Sequence, residues 1–173
     1  MKKPTILIVG HGRHGKDTLA EMITKELGHK FRGSSQVAAS EVIYPLMRNF
    51  YDSPEDAFEK RHQNRQLWAS LIRDFNRDDK SRLAKLVCEG GYGYTGLREL
   101  EEVKKCIEMG VFTHVIWISR SVLPENDPTM TFKFHDLFML KRCLHNFKLT
   151  TVVNSSLTEL REKVKTDIKE FLS

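Results

Sequence analysis

Ile6-Leu7-Ile8-Val9-Gly10-His11-Gly12-Arg13-His14-Gly15-Lys16-Asp17-Thr18 is the stretch on which the reading of this chain turns. Four consecutive apolar residues predict a buried strand. Glycines at 10, 12 and 15 interrupt it, and Leu19, Ala20, Ile23 and Leu27 then recur at helical spacing. A strand that opens through a glycine-rich loop into a helix is the geometry of an anion cradle. Successive backbone N–H groups converge on a phosphate, and the helix start adds its positive end. Lys16 supplies a flexible point charge for the phosphate oxygens. In the usual form of this loop Ser or Thr follows the lysine. Here Asp17 does, and the hydroxyl comes one place later at Thr18.

Further strands are predicted at about 30–33, around the glycine-bounded Tyr92-Gly93-Tyr94, at 114–119 (His-Val-Ile-Trp-Ile-Ser) and at about 150–153. Helices are predicted between them: about 16–27, 37–50, a long one from Pro54 with Ser53 as its cap, one capped by Asp78 or Asp79, and one through Leu100, Val103 and Ile107. Another spans about 136–145. A last helix is capped by a Ser156/Glu159 box, with Leu160, Val164, Ile168 and Phe171 on its core face. On the helix after Pro54, Leu67, Trp68, Leu71, Ile72 and Phe75 form an apolar stripe. Alternating strands and helices predict an α/β fold, with about five parallel strands covered by helices on both faces. Ligands of such sheets bind at the carboxyl ends of the strands.

The 173 residues are most simply one domain. No apolar run reaches membrane-span length, and the opening Met1-Lys2-Lys3-Pro4 is too brief for a secretion signal, so a cytoplasmic protein with no membrane contact is expected. Cys88, Cys106 and Cys143 are odd in number and widely spaced, and read as free packing thiols. The net charge of +5 permits nucleic-acid binding. With no long basic run, stable nucleic-acid binding is not expected, and the excess is read as directed at phosphorylated ligands.

The strand-end rule selects the candidate site. Arg98 follows a strand end and a glycine, which places a planar fork of donors where phosphates lie. Arg120 closes the next strand and precedes a proline-bearing loop, from which it could stabilise a transferring phosphoryl group. Arg61 and Arg65 share a helix face, so both could grip one phosphate, and Arg73 follows on the same helix. Trp68 and Phe75 belong to the apolar stripe and read as core by periodicity. No acidic residue closes an apolar strand; Thr95 stands in that place. Asp17 is therefore the carboxylate placed to hold magnesium, directly or through water, or to orient an acceptor oxygen.

The Gly10–Thr18 loop with its Lys-Asp-Thr ending resembles that of the deoxynucleoside monophosphate kinases of bacteriophages. The resemblance continues through Leu67–Asn76, Thr95–Glu101, Val115–Arg120 and Val152–Ser155. It implies a P-loop NTPase three-layer sandwich of the nucleoside monophosphate kinase type over residues 1–173, with a helical substrate-binding region about 36–80 and a lid loop about 120–134. The implied reaction moves the γ-phosphoryl group of ATP, with Mg2+, to a deoxynucleoside 5′-monophosphate, supporting phage DNA precursor synthesis in the host cytoplasm. Gly12, Arg13, His14, Gly15, Lys16, Asp17, Thr18 and Asn154 would face the donor. Ser34, Arg61, Arg65, Trp68, Arg73 and Arg98 would face the acceptor. Lys16, Asp17, Arg98 and Arg120 would be catalytic, and Asp17 would hold the metal. The partners are then small nucleotides, and a homodimer is compatible with the sequence. Two alternatives stay open: a kinase of another small phosphorylated acceptor or of a modified base in DNA, and a nucleotide-binding module without catalysis.

Overall fold

A computed structural model describes residues 4–125 and 127–173 of the chain. Strand β1 (Ile6–Val9) is wholly buried. It pairs in parallel with β3 (Gly93–Thr95) on one side, Ile8 opposite Thr95, and with β4 (His114–Ser119) on the other, Val9 opposite Trp117. Adding β2 (Phe31–Arg32) and β5 (Lys148–Val153) gives a five-stranded, all-parallel sheet in the order β2-β3-β1-β4-β5. Parallel neighbours require crossover connections, and helices supply them.

Successive side chains of a strand point to opposite faces, so each central strand feeds two cores. Leu7, Val9, Val115 and Trp117 pack with the helices of the middle of the chain; Ile6, Ile8, Ile116, Ile118 and Val152 pack with the first and last helices. The protein is therefore α/β with helices on both sides of the sheet. Helix α1 (Lys16–Leu27) buries Leu19, Ala20 and Ile23 and ends at Gly28, whose left-handed conformation returns its N–H to the Thr24 carbonyl.

Two helices depart from the sequence expectation for a physical reason. The stretch expected at 37–50 begins at Ser34 and ends at Leu46, as α2 (Ser34–Ala38), a wide π turn (Ala39–Ile43) and α3 (Tyr44–Leu46). Pro45 lacks an N–H, and in an α-helix its ring would collide with the carbonyl four residues back; the wide turn ahead of it relieves that conflict. Phe50 lies beyond the helix and is 72% exposed. The helix from Pro54 is not continuous either. It runs as α4 (Pro54–Glu59), a tight 3-10 turn (Lys60–Asn64) and α5 (Arg65–Phe75). The polar turn Lys60–Asn64 buries none of its residues, so no apolar contact holds it in α geometry. Ser53 caps α4 as expected, its hydroxyl accepting from Asp56 N at 3.1 Å. On α5 the core face is Trp68, Leu71, Ile72 and Phe75, whereas Leu67 is 40% exposed.

After α6 (Arg82–Val87), α7 (Leu100–Glu108) and α8 (Phe134–Cys143) come the closing α9 (Leu157–Lys163), a π turn (Val164–Ile168) and α10 (Lys169–Leu172). Neither Asp78 nor Asp79 is the cap of α6. Ser81 takes that place, braced by Asp79, which accepts from its N–H at 2.9 Å. Leu160, Val164, Ile168 and Leu172 are all buried. A spacing of four drifts around an ordinary helix of 3.6 residues per turn. The wider turn holds the stripe in place, so Leu172 rather than Phe171 completes it. Phe171 instead packs edge-on to His114, ring centroids 5.1 Å apart. The Ser156 cap forms, but the Glu159 carboxylate bonds the Ser155 hydroxyl, so only half of the expected box is made. Cys106 is buried, Cys88 half-buried and Cys143 exposed, so Cys143 is not a packing residue. No helix among the described residues is long and apolar enough to cross a membrane.

Ile168→Ala should cost about 2–5 kcal/mol, as truncation of a fully buried aliphatic residue does. Leu67→Ala should stay within about 0.5 kcal/mol. Urea unfolding midpoints of the two variants measure both. Equal losses would place Leu67 in the core and overturn the assignment of its face.

Candidate active site

All five strands run the same way, so their carboxyl ends lie along one edge of the sheet. The chain leaves β1 through Gly10, pressed so close to β4 that a Cβ would lie 2.2 Å from the Ile118 carbonyl oxygen. The loop then turns through Arg13, a non-glycine residue with φ 65, and Gly15 with φ 100. Left-handed geometry is costly for an arginine and persists only where its surroundings enforce it. Alternating conformations of this kind turn neighbouring N–H groups to one side, forming an anion-binding concavity.

The loop is braced from behind. Asn154, just past β5, is 8% exposed, and its Nδ2 donates to the His14 carbonyl at 3.1 Å. A Cβ at Gly15 would strike that same Nδ2 at 2.5 Å. His14 is fully buried. Its Nδ1 accepts from the Arg120 N–H at 3.1 Å, and its Nε2 faces the Pro124 carbonyl at 3.3 Å. Both ring nitrogens are thus engaged, fixing the neutral tautomer with the proton on Nε2. His14 and Asn154 support the loop rather than line its cleft. His11 is buried beside them, edge-on to Trp117 at 5.7 Å, with Nδ1 accepting from Asp127 N at 3.3 Å.

In front of the loop lies a cleft of about 530 Å³. Gly12, Arg13, Lys16 and Asp17 form one wall, Ser34, Ser35, Phe58 and Arg61 the other, and Thr95, Gly96 and Arg98 the floor. Lys16 Nζ donates to the carbonyls of Gly10 and His11, both at 2.8 Å. Burial, and then the neighbouring Arg98 charge, pull its ammonium below the ordinary lysine range. An anion in the cleft would relieve both effects, because it restores a partner to a desolvated cation. Asp17 is exposed at the start of α1, and the Thr95 hydroxyl reaches its Oδ1 at 3.5 Å. Among the described residues there is no group of three or more His, Cys, Asp or Glu side chains placed to hold a metal. One carboxylate beside a hydroxyl matches magnesium, which keeps several waters and takes further ligands from phosphates.

A second cavity of about 260 Å³ adjoins the cleft and shares Ser34, Gly96 and Arg98 with it. Arg73, Lys80, Tyr94 and Glu102 line it. Burial raises the Glu102 carboxyl above its ordinary range, opposed by Asn76, whose Nδ2 donates to it at 3.1 Å. The candidate arginines therefore separate. Arg61 lines the cleft, stacked 3.9 Å above Phe58 and bonded to the Phe58 carbonyl at 2.7 Å. Arg65 does not line it and bonds His62 Nδ1 at 2.9 Å, so the structure does not bring Arg61 and Arg65 together on the cleft; Arg61 lies within the 3-10 turn and Arg65 opens the α-helix after it. Arg73 reaches the second cavity. Trp68 lies in the core, lines neither cavity, and leaves its Nε1 without a hydrogen-bond partner among the described residues. Thr18 sits behind Asp17 outside the cleft lining, and Arg120 is exposed at the end of β4.

Sequence reasoning missed Asp127. Arg98 Nη1 approaches its carboxylate at 3.2 Å and also bonds the Thr129 hydroxyl. Hydrogen bonds from Thr129, followed by the Arg98 charge and the Gly12 N–H, hold this carboxyl below the usual range. The signal available was Asp127-Pro128-Thr129, an acidic turn former beside a proline, but it lies within a loop rather than at a strand end. With Arg98 48% exposed, the ion pair alone is worth about 0–1 kcal/mol.

Burial lowers the pKa of His11 from its ordinary 6.5, with the Glu125 charge opposing. The unfolded chain then binds a proton near 6.5 while the folded chain binds it only at lower pH. Stability from this group is complete above 6.5 and is lost as pH falls through the folded value. Denaturant midpoints should therefore drop between about pH 7.5 and 5.5, and His11→Gln should reduce that slope. His114, lowered by burial and then by Lys148, contributes in the same direction. An unchanged slope in His11→Gln would refute the assignment. No protein-family model matches the chain, and no curated protein matches it in sequence. What the site does is therefore read from its geometry.

Proposed function

We propose that the cleft transfers the γ-phosphoryl group of ATP to the 5′-phosphate of a deoxynucleoside monophosphate, on a fold of the P-loop nucleoside monophosphate kinase type. The observation that carries this reading is the pair of adjoining cavities meeting at Arg98. One is lined by Lys16 and the glycine loop, the other by Arg73, Lys80, Tyr94 and Glu102. Two neighbouring sites, with a guanidinium common to both, suit a donor and an acceptor whose phosphates meet end to end. A site for one nucleotide alone would not need the second chamber.

Phosphoryl transfer depends mainly on positioning and on stabilising charge. In this reading the backbone N–H groups from Gly12 onward and the Lys16 ammonium bind the donor phosphates. Arg98, able to bond two oxygens at once, aligns the donor with the acceptor phosphate and holds the charge that spreads over the transferring group. An acceptor oxygen bonds to the γ-phosphorus as the bond to the β-phosphate oxygen breaks, leaving ADP. Asp17 and the Thr95 hydroxyl are the residues that would hold magnesium, which screens the phosphate charge when bound. Asp17 supports this role because an exposed carboxylate beside phosphates is repulsive unless a cation lies between them. Arg73 and the 36–80 region form the acceptor side, with Arg61 of that region reaching the donor cleft, and the 120–134 segment, which carries Arg120 and of which Asn126 lies outside the described residues, is the lid.

Incubation with labelled ATP and a panel of deoxynucleoside monophosphates, ribonucleotides and modified DNA tests the reading. Label is expected in a deoxynucleoside diphosphate. Transfer to another small phosphorylated compound or to DNA would select the alternative kinases, and ATP binding without transfer would select the non-catalytic module. Lys16→Ala should lower kcat by roughly 10²–10³-fold or more while leaving the circular dichroism melt unchanged. Near-normal turnover in that folded variant would sink the assignment.

A further inference from the structure

Asp127 stands where the glycine loop presents its donors. Its Oδ2 lies 3.2 Å from Arg98 Nη1, and a Cβ placed on Gly12 would be 3.4 Å from the same oxygen. The Gly12 backbone thus lies against the carboxylate and helps to hold it ionised. Thr129 holds Oδ1 from its backbone N–H at 3.0 Å and its hydroxyl at 2.6 Å, and the Asp127 N–H is tied to His11 Nδ1 at 3.3 Å. The side chain is only 11% exposed. The backbone of the glycine loop and a guanidinium over the cleft are the groups a phosphate would use, and here an anion of the chain's own pairs with the guanidinium and stands against the loop.

We propose that Asp127 is an internal counter-ion of the phosphate cradle: an incoming nucleotide phosphate displaces it from Gly12 and Arg98, and the exchange releases the Arg98 side chain to the phosphates. This rests on reading the cleft as a nucleotide site. The backbone of Arg98 does not need to move. Thr131 fixes it independently, with its N–H donating to the Arg98 carbonyl at 2.9 Å and its hydroxyl accepting from the Leu100 N–H at 3.1 Å. Only the guanidinium changes partner, from a carboxylate to a phosphate. Until a donor arrives, Asp127 offsets the repulsion between Lys16 and Arg98 and keeps Arg98 from a lone acceptor. Asp127 is thus a positioning residue for Arg98 and a competitor of the donor phosphate. The fraction of molecules in which it holds the cradle lowers the apparent affinity for any phosphate ligand.

Titration calorimetry tests this on the full chain without requiring turnover. The probes are ATP with magnesium and inorganic tripolyphosphate in EDTA, and the variants are Asp127→Asn and Thr129→Val. Asp127→Asn keeps the shape and removes the charge, and should tighten both ligands by about 5–10-fold, at the lower end of ordinary coupling effects. Thr129→Val leaves the charge but frees the carboxylate, and should tighten them less. In turnover, Asp127→Asn should lower the KM for ATP without raising kcat, a split that general loosening of the loop would not give. Unchanged or weaker tripolyphosphate binding in Asp127→Asn overturns the proposal. Weakening confined to the magnesium condition would make Asp127 a metal ligand and also overturns it. If Asp127→Asn does not fold, Thr129→Val decides alone: tightening supports the exchange, and no change overturns it. If the wild type binds ATP but no variant tightens, only the counter-ion role fails. If no form binds either probe, the nucleotide reading fails and takes this role with it.

Discussion

The contact on which the rest depends is the approach of Gly10 to the Ile118 carbonyl, a spacing that admits no side chain. It allows the chain to leave the central strand tight against β4 and turn at once into the loop. A bulkier residue would push the loop away from the sheet, and Asn154, Arg120 and Pro124 would lose their partners in it. Because β1 lies between β3 and β4, the loop emerges in the middle of the carboxyl edge. Thr95, Arg98, Arg120 and Asn154 reach it from neighbouring strands on both sides. The site thus follows from strand order together with one missing methyl group.

Around that loop three charged side chains have partners. Lys16 folds back on two carbonyls, Arg98 pairs with Asp127, and Asp17 meets a threonine hydroxyl. The two histidines contribute packing and hydrogen bonds through their ring nitrogens. Burial weakens the hold of Lys16 on its proton, and an anion in the cleft would strengthen it again.

Much of this was legible in the chain itself. Four apolar residues followed by glycines located β1 and its loop, and the apolar strand 114–119 and the helix 16–27 have the bounds the pattern predicts. Periodicity failed where a backbone constraint outweighed it. Pro45 imposed a wide turn, the polar Lys60–Asn64 tightened into another, and the closing helix moved its stripe by one residue. Arg61 lies within the Lys60–Asn64 turn and Arg65 opens the helix after it. Asp127 was not legible because its role comes from a contact 29 residues away in sequence, with Arg98, and from a turn with no hydrophobic pattern. Strand-end reasoning finds residues that the sheet places, and it is blind to those that a loop folds back.

The two engaged nitrogens of His14 have a consequence for the thermodynamics of binding. They join the root of the 120–124 segment to the phosphate loop, and Asn154 joins the loop to the end of β5. The entropy of ordering these segments is therefore lost once, when the protein folds, and is not charged again to each ligand. The left-handed Arg13 directly precedes His14 in that loop. On the proposed reading, a phosphate entering the cradle meets a loop already in place. What it must rearrange is confined to three side chains, Lys16, Arg98 and Asp127.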